Sequence, residues 1–110
     1  MRKSILAMAV VFAVTIATGA VAQAVPEYKL ALQNRKFEPA TLKVPANTKV
    51  KVLVTNRDPV PMEFESADFN REKIVLPNST VTVFVGPLEK GTYKFFDDFH
   101  QATTGVLVVE

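Results

Sequence analysis

Two short segments each group several side chains that could do metal chemistry. The first runs from Met62 to Glu65 and offers a thioether and two carboxylates. The second runs from Asp97 to His100 and offers two adjacent carboxylates and the only histidine of the 110 residues. Imidazole, carboxylate and thioether groups all bind metals. If the fold brings these segments together, the sequence predicts a metal site.

Strand alternation predicts which of these side chains can meet. In the pattern from Tyr93 to Asp97, the apolar Tyr93 and Phe95 face the core, so Asp97 points the same way at the strand end. Phe64 is the predicted core residue of the first segment, and Met62 shares its face. With the loop histidine, the predicted inner set is Met62, Asp97 and His100.

The same alternation predicts a second, acidic group. Glu63 and Glu65 lie on the face opposite Phe64 unless the strand bulges. Asp98 follows the end of the other strand. These three carboxylates are expected to form an acidic ring beside the inner set.

Each candidate also has a purely structural interpretation. A lone loop histidine is commonly a surface residue or a hydrogen-bond donor. Met62 could fill a gap in the core, and Asp97 with Asp98 could cap a turn. Glu63 and Glu65 could form an ordinary solvated strand face.

The remaining composition excludes several other chemistries. The chain has no cysteine, so it has no disulfide, no zinc–thiolate cluster and no cysteine nucleophile. Ser66 and Ser79 lie in predicted turns without a nucleophile-elbow signature. No glycine-rich phosphate loop is present.

The first residues are typical of a secretory signal. Arg2 and Lys3 precede an apolar run over 5–17, and small residues fit signal-peptidase cleavage after Ala22 or, as the second choice, Ala24. Cleavage after Ala22 leaves 88 residues, enough for one small domain over 23–110. We expect a periplasmic protein without stable membrane insertion.

The charge balance does not point to a polyanionic partner. Removing Arg2 and Lys3 from the 13 basic residues leaves 11, which equals the number of acidic residues. A neutral balance gives no reason to expect nucleic acid or an anionic membrane surface as a partner.

The mature chain is predicted to be an all-β antiparallel sandwich of about eight short strands. Period-two alternation and β-branched residues recur in short segments separated by turn residues. Strands at this spacing indicate a sandwich rather than a parallel sheet. The segment 66–72 is the least strand-like and is expected to carry a helical turn. The predicted strands are 28–33, 42–44, 49–54, 62–65, 73–76, 81–85, 93–97 and 105–109.

Three sequence stretches resemble the cupredoxin superfamily, over nearly all of residues 27–110. They are KFEPATLKVPANTKVKVLVTNRD, MEFESADFNREKIVLPNSTVTVFVGPL and GTYKFFDDFHQATTGVLVVE. The second and third are similar to the cysteine-poor, EfeO-type cupredoxin-like domains of bacterial periplasmic iron-uptake systems. That group carries Glu-Phe-Glu-Ser, Asn-Arg-Glu-Lys and Phe-Phe-Asp-x-Phe-His motifs.

The resemblance implies a Greek-key β-sandwich with a metal site at one end. By position, Met62 falls at the upstream histidine ligand of a blue-copper site, Asp97 at the cysteine and His100 at the downstream histidine. The axial methionine has no counterpart, because Gly105 follows His100 too soon. Only one of the four blue-copper ligands is therefore kept.

The resemblance also implies a role beside a high-affinity iron permease, in a group whose members are proposed to help oxidise ferrous iron with copper. Carboxylate and imidazole ligands suit Cu(II), Fe(III) or Zn(II), and a thioether would help to hold Cu(I). We expect copper as cofactor, iron as substrate or ligand, and either ferroxidase activity or delivery of iron to the permease. The alternatives are an electron-transfer protein, which the missing cysteine disfavours, and a metal-free interaction module.

Overall fold

The computed structural model describes residues 24–110, which form nine β-strands and no helix. The secretory signal predicted for residues 1–22 lies outside the described residues. Over 24–110, no helix is present that could cross a lipid bilayer. The strands are β1 (Glu27–Gln33), β2 (Lys36–Glu38), β3 (Thr41–Val44), β4 (Val50–Asn56), β5 (Met62–Ser66), β6 (Arg71–Val75), β7 (Ser79–Val85), β8 (Gly91–Asp97) and β9 (His100–Val109).

The strands form two sheets, ordered β2-β1-β4-β7 and β3-β9-β8-β5-β6. Most pairings are antiparallel, but β1 pairs with β4 and β3 with β9 in parallel. The predicted all-β sandwich is therefore confirmed, with two parallel pairs in addition. Alternation did not reveal them, because a period-two pattern indicates which face is buried and not the direction of the neighbouring strand.

The core lies between the sheets and consists of alternate apolar residues from both. Phe64 and Phe95 are among its largest fully buried side chains. The ring of Phe37 meets both edge-on, with centroid distances of 6.5 and 5.0 Å. Gly105 pairs with Phe95 across β8 and β9, and a side chain at Gly105 would overlap the Phe95 ring. Packing therefore requires glycine at this position.

Two elements differ from the sequence prediction. Strand β2 was not predicted; it forms a hairpin with β1 through Asn34 and Arg35, both of which have positive φ. The helical turn expected within 66–72 is a plain turn over 67–70, and β6 already begins at Arg71. Asn70 ends this turn with a φ of 53°, a conformation that asparagine tolerates well.

A buried polar network fixes the loops at the end of the sandwich where β5 begins. Asn56 Nδ2 donates to the carbonyl oxygens of Val60 and Val75, at 2.8 and 3.1 Å. The Asp58 carboxylate accepts bonds from the backbone N–H groups of Asn34 and Arg35, at 2.6 and 2.9 Å. The β1–β2 turn, the β4–β5 loop and the end of β6 are thereby tied together. This frame holds the start of β5, which carries the first candidate segment.

Candidate metal centre

Asp97 is the last residue of β8 and is wholly buried, with 0% of its surface exposed. It shares the inner face of the sheet with Phe95, as the alternation predicted. Its Oδ1 accepts hydrogen bonds from the backbone N–H groups of Glu63 and Phe99, both at 3.0 Å. These bonds tie the end of β8 to the start of β5 and to the following turn. The two candidate segments are therefore adjacent, as expected.

His100 begins β9 and pairs with Asp97 across the two-residue turn of Asp98 and Phe99. Its Nδ1 lies 2.7 Å from Asp97 Oδ2. The His100 side chain is 26% exposed, whereas that of Asp97 is fully enclosed. The imidazole thus stands at the surface, with one ring nitrogen directed at a buried carboxylate.

Met62, the first residue of β5, lies on the inner face with Phe64 and is fully buried. It pairs with Val75 of β6, on the side of β5 away from β8. The predicted orientation is confirmed. Its thioether belongs to the same apolar cluster that forms the core.

Glu63 and Glu65 lie on the outer face of β5, as predicted, and a third carboxylate joins them. Glu72 of β6 is directly opposite Glu65. One oxygen from each of these three residues lies within 4.8 Å of the others. Asp98 is close by: its backbone N–H donates to Glu63 O at 2.8 Å, and its Oδ1 accepts a bond from Gln101.

The crowding of negative charge perturbs two of these groups. Partial burial, followed by the charges of Glu72, Asp98 and Asp97, raises the pKa of Glu63 above 4.5. Partial burial, the charges of Asp98 and Glu72, and a hydrogen bond with Asp98 raise the pKa of Glu65. A bound cation would offset this repulsion.

Sequence reasoning missed Glu72. The segment 66–72 was expected to carry a helical turn, which would have separated Glu72 from the strand face. The signal that was present is the pair of turn-forming residues Asp68 and Asn70, which lie between the predicted strands 62–65 and 73–76. A hairpin closed there places Glu72 opposite Glu65.

The candidate residues form two adjoining groups rather than one ligand shell. The inner group is the hydrogen-bonded pair of Asp97 and His100. The outer group is the set of Glu63, Glu65 and Glu72, the one set of three such ligand atoms this close together within residues 24–110. The main chain of Glu63 joins the two groups, because its N–H donates to Asp97 and its carbonyl accepts from Asp98.

Comparisons with known proteins identify the family. The sequence profile of the cupredoxin-like domain matches residues 6–109, and the chain therefore belongs to this family. An uncharacterised protein of Rickettsia prowazekii (strain Madrid E) is 40% identical over 84 residues, which are 76% of this chain and 67% of that protein.

Solved copper proteins share the fold. The metal-binding domain of a Cu(I)-exporting P-type ATPase of Streptococcus pneumoniae, with Cu(I), has a TM-score of 0.69 at 12% identity, over 76% of this chain and 84% of that one. A reduced amicyanin variant gives 0.62 at 21% identity, over 82% and 86%. A purple cupredoxin from Nitrosopumilus maritimus gives 0.58 at 23% identity, over 77% and 99%. These TM-scores establish a shared fold, and at such low identities they do not identify metal ligands in this chain.

The residues of this chain do not fit a blue-copper centre. Such a centre needs a cysteine thiolate, and the chain has none. Asp97, which the resemblance aligns with that cysteine, accepts hydrogen bonds from two backbone N–H groups and lies 2.7 Å from Nδ1 of His100. The side-chain groups that remain accessible as metal ligands are the imidazole of His100 and carboxylate oxygens. This mixed nitrogen and oxygen set fits Cu(II), Zn(II) or iron.

Proposed function

We propose that this protein is a periplasmic metal-binding cupredoxin that assists bacterial iron uptake. Two observations carry the metal-binding part: the partly exposed imidazole of His100, and the crowded carboxylates of Glu63, Glu65 and Glu72 on the outer face of the same sheet. The main chain of Glu63 links the two groups, and the resemblance to EfeO-type domains supports a metal site formed by the same segments. A cation there would neutralise charges that now repel one another.

The two groups suit different ions. His100 supplies a borderline nitrogen ligand, which suits copper as the resident cofactor. Copper supplies one-electron chemistry when bound. Glu63, Glu65 and Glu72, with Asp98 beside them, offer hard oxygen ligands of the kind that iron prefers, so we assign iron to them as cargo. The main chain of Glu63 keeps the groups at a fixed separation.

The role in iron uptake rests on the Glu-Phe-Glu-Ser, Asn-Arg-Glu-Lys and Phe-Phe-Asp-x-Phe-His motifs. In that role the protein either oxidises Fe(II) with copper or delivers iron to a permease. A single-turnover assay of Fe(II) oxidation by copper-loaded protein separates the two. If copper-loaded protein oxidises Fe(II) faster than free Cu(II) does, the result supports oxidation. If the two rates are equal, the role is limited to delivery of iron.

Titration calorimetry of the mature protein tests the binding itself. We expect Cu(II) to bind one site that His100→Ala abolishes, and Fe(II), added without oxygen, to bind a site that Glu63→Gln with Glu72→Gln weakens. The matched control is Glu38→Gln, because Glu38 is exposed on β2 outside both groups. Equal, weak binding by the wild-type protein and all variants would refute the proposal.

The competing function is a metal-free interaction module, and one observation favours it. No buried side-chain nitrogen or oxygen within the described part of the chain lacks a hydrogen-bond partner. The fold therefore does not need a metal to satisfy its polar groups. Absence of any saturable metal binding in the titration would select this function.

A further inference from the structure

Both oxygens of the Asp97 carboxylate make hydrogen bonds within the protein. Oδ1 accepts from two backbone N–H groups, those of Glu63 and Phe99, each at 3.0 Å. Oδ2 lies 2.7 Å from Nδ1 of His100. The side chain has no exposed surface. A metal ion could reach Oδ1 only by displacing a backbone N–H group, and burial closes Oδ2 to an ion arriving from solvent.

These contacts fix where the imidazole carries its proton. Backbone N–H groups only donate, so Oδ1 acts purely as an acceptor, as expected of an ionised carboxylate. Because an imidazole nitrogen is a stronger base than a carboxylate oxygen, the proton between Oδ2 and Nδ1 belongs to the ring, and Nδ1 donates to Oδ2. In the neutral ring the proton therefore sits on Nδ1, and Nε2 keeps its lone pair.

Nε2 is the nitrogen left free for a ligand. No group within residues 24–110 forms a hydrogen bond with it, and the His100 side chain is partly exposed. The ring itself separates Nε2 from the Asp97 carboxylate. A metal bound at Nε2 would lie outside the sandwich, on the solvent side of the ring.

We infer that Asp97 is a positioning residue and that His100 binds metal through Nε2 at the surface of the sandwich. This inference rests on the proposed function, and it reassigns Asp97 from ligand to partner of the ligand. Metal-binding histidines commonly donate their second ring N–H to a carboxylate, which fixes the tautomer and the ring orientation. The ion class is a borderline divalent cation that reaches the site from solvent, such as Cu(II) or Zn(II).

The inference predicts the tautomer of the metal-free protein. Long-range proton–nitrogen NMR of His100, at a pH where the ring is neutral, should show a protonated Nδ1 and an unprotonated Nε2. This measurement needs no variant and no metal. A proton on Nε2 in the wild-type protein would overturn the inference.

Asp97→Asn provides the second test. The asparagine Oδ1 can still accept from Glu63 and Phe99, but its Nδ2 donates toward Nδ1 and forces the ring proton onto Nε2. We expect Cu(II) affinity to fall about 10- to 100-fold, with the tautomer reversed and the amide spectrum otherwise native. The matched control is Asp68→Asn, because Asp68 is exposed and its carboxylate accepts from one backbone N–H, that of Lys94.

The outcomes separate this inference from the proposed function. A wild-type protein that binds no Cu(II) overturns both. A wild-type protein that binds Cu(II) while Asp97→Asn binds it equally well overturns the inference alone, because Asp97 would then not act through the ring. Loss of affinity in Asp97→Asn with native affinity in Asp68→Asn supports it.

Discussion

At the residue scale, Asp97 joins three parts of the chain at one buried point. Its oxygens accept from the start of β5, from the β8–β9 turn and from the first residue of β9. The pleat of β8 decides this position, because Asp97 follows Phe95 on the inner face. A carboxylate is tolerated in the interior only because each oxygen is hydrogen-bonded.

We expect Asp97→Ala to lower the free energy of unfolding by about 2–4 kcal/mol, because buried N–H groups lose their acceptor. Urea denaturation of the metal-free protein measures the change. Asp68→Ala is the matched control and should cost less than 1 kcal/mol, since surface substitutions usually have small effects. Equal losses for the two variants would show that the bonds to Asp97 do not stabilise the fold.

Gly105→Ala tests the packing between β8 and β9. The added methyl group would overlap the ring of Phe95, so we expect a loss of about 1–3 kcal/mol from overpacking. Phe95→Leu should remove part of that penalty in the double variant. A double-mutant cycle by urea denaturation gives the coupling energy, and strict additivity would contradict the proposed clash.

At the element scale, the β5–β6 hairpin assembles the outer carboxylates. Glu63 and Glu65 point outward because Met62 and Phe64 point into the core, and the turn at 67–70 sets the register that adds Glu72. Direct pairing of like charges across two strands is unfavourable. Repulsion among these carboxylates therefore destabilises the hairpin locally, and a bound cation would offset it.

This repulsion gives stability a defined dependence on pH. The raised pKa values of Glu63 and Glu65 mean that the folded state binds their protons more tightly than the unfolded state does. The contribution of these two groups to the free energy of unfolding of the metal-free protein should therefore fall as pH rises above 4.5 through the raised values.

Glu72→Gln removes one of the charges that raise these pKa values. We expect it to raise the melting temperature of the metal-free protein at pH 7, with the gain disappearing below pH 4.5, where the carboxyl groups are protonated in both states. Thermal unfolding by circular dichroism across this pH range measures the effect, with Glu38→Gln as control. The same gain at pH 4 and pH 7 would contradict the electrostatic explanation.

The sequence predicted which face of the sheet each side chain occupies better than it predicted which side chains on different strands are in contact. Alternation correctly oriented Met62, Phe64 and Asp97, because the pleat imposes it. It did not give the register between strands, so Glu72 was missed. It also could not indicate that Asp97 and His100 hydrogen-bond to each other, because that contact depends on how the turn between them closes.

At the scale of the whole molecule, the cupredoxin sandwich is complete without a metal. Its described part contains no unsatisfied buried side-chain polar atom, and its core is continuous between the sheets. Metal should therefore stabilise the protein only by mass action, by about 2.7 kcal/mol at 100 times the dissociation constant.

Treatment with a chelator should consequently leave the protein folded. We expect the metal-free protein to keep dispersed amide resonances and a cooperative thermal transition, at a lower melting temperature than the metal-loaded form. NMR and calorimetry of the same sample with and without excess chelator measure this. Unfolding on metal removal would mean that the ion completes the core.

The parallel pairing of β3 with β9 has a consequence for the time course of folding. Thr41 pairs with Val106, 65 positions later in the sequence. Strand β3 therefore cannot pair until the last strand of the domain, β9, has reached it. Closing so long a loop is entropically costly, and folds dominated by such pairings reach the native state in milliseconds to seconds rather than microseconds. Until β9 docks, β3 and β8 both expose open backbone edges, and this interval is when the chain is most prone to aggregate.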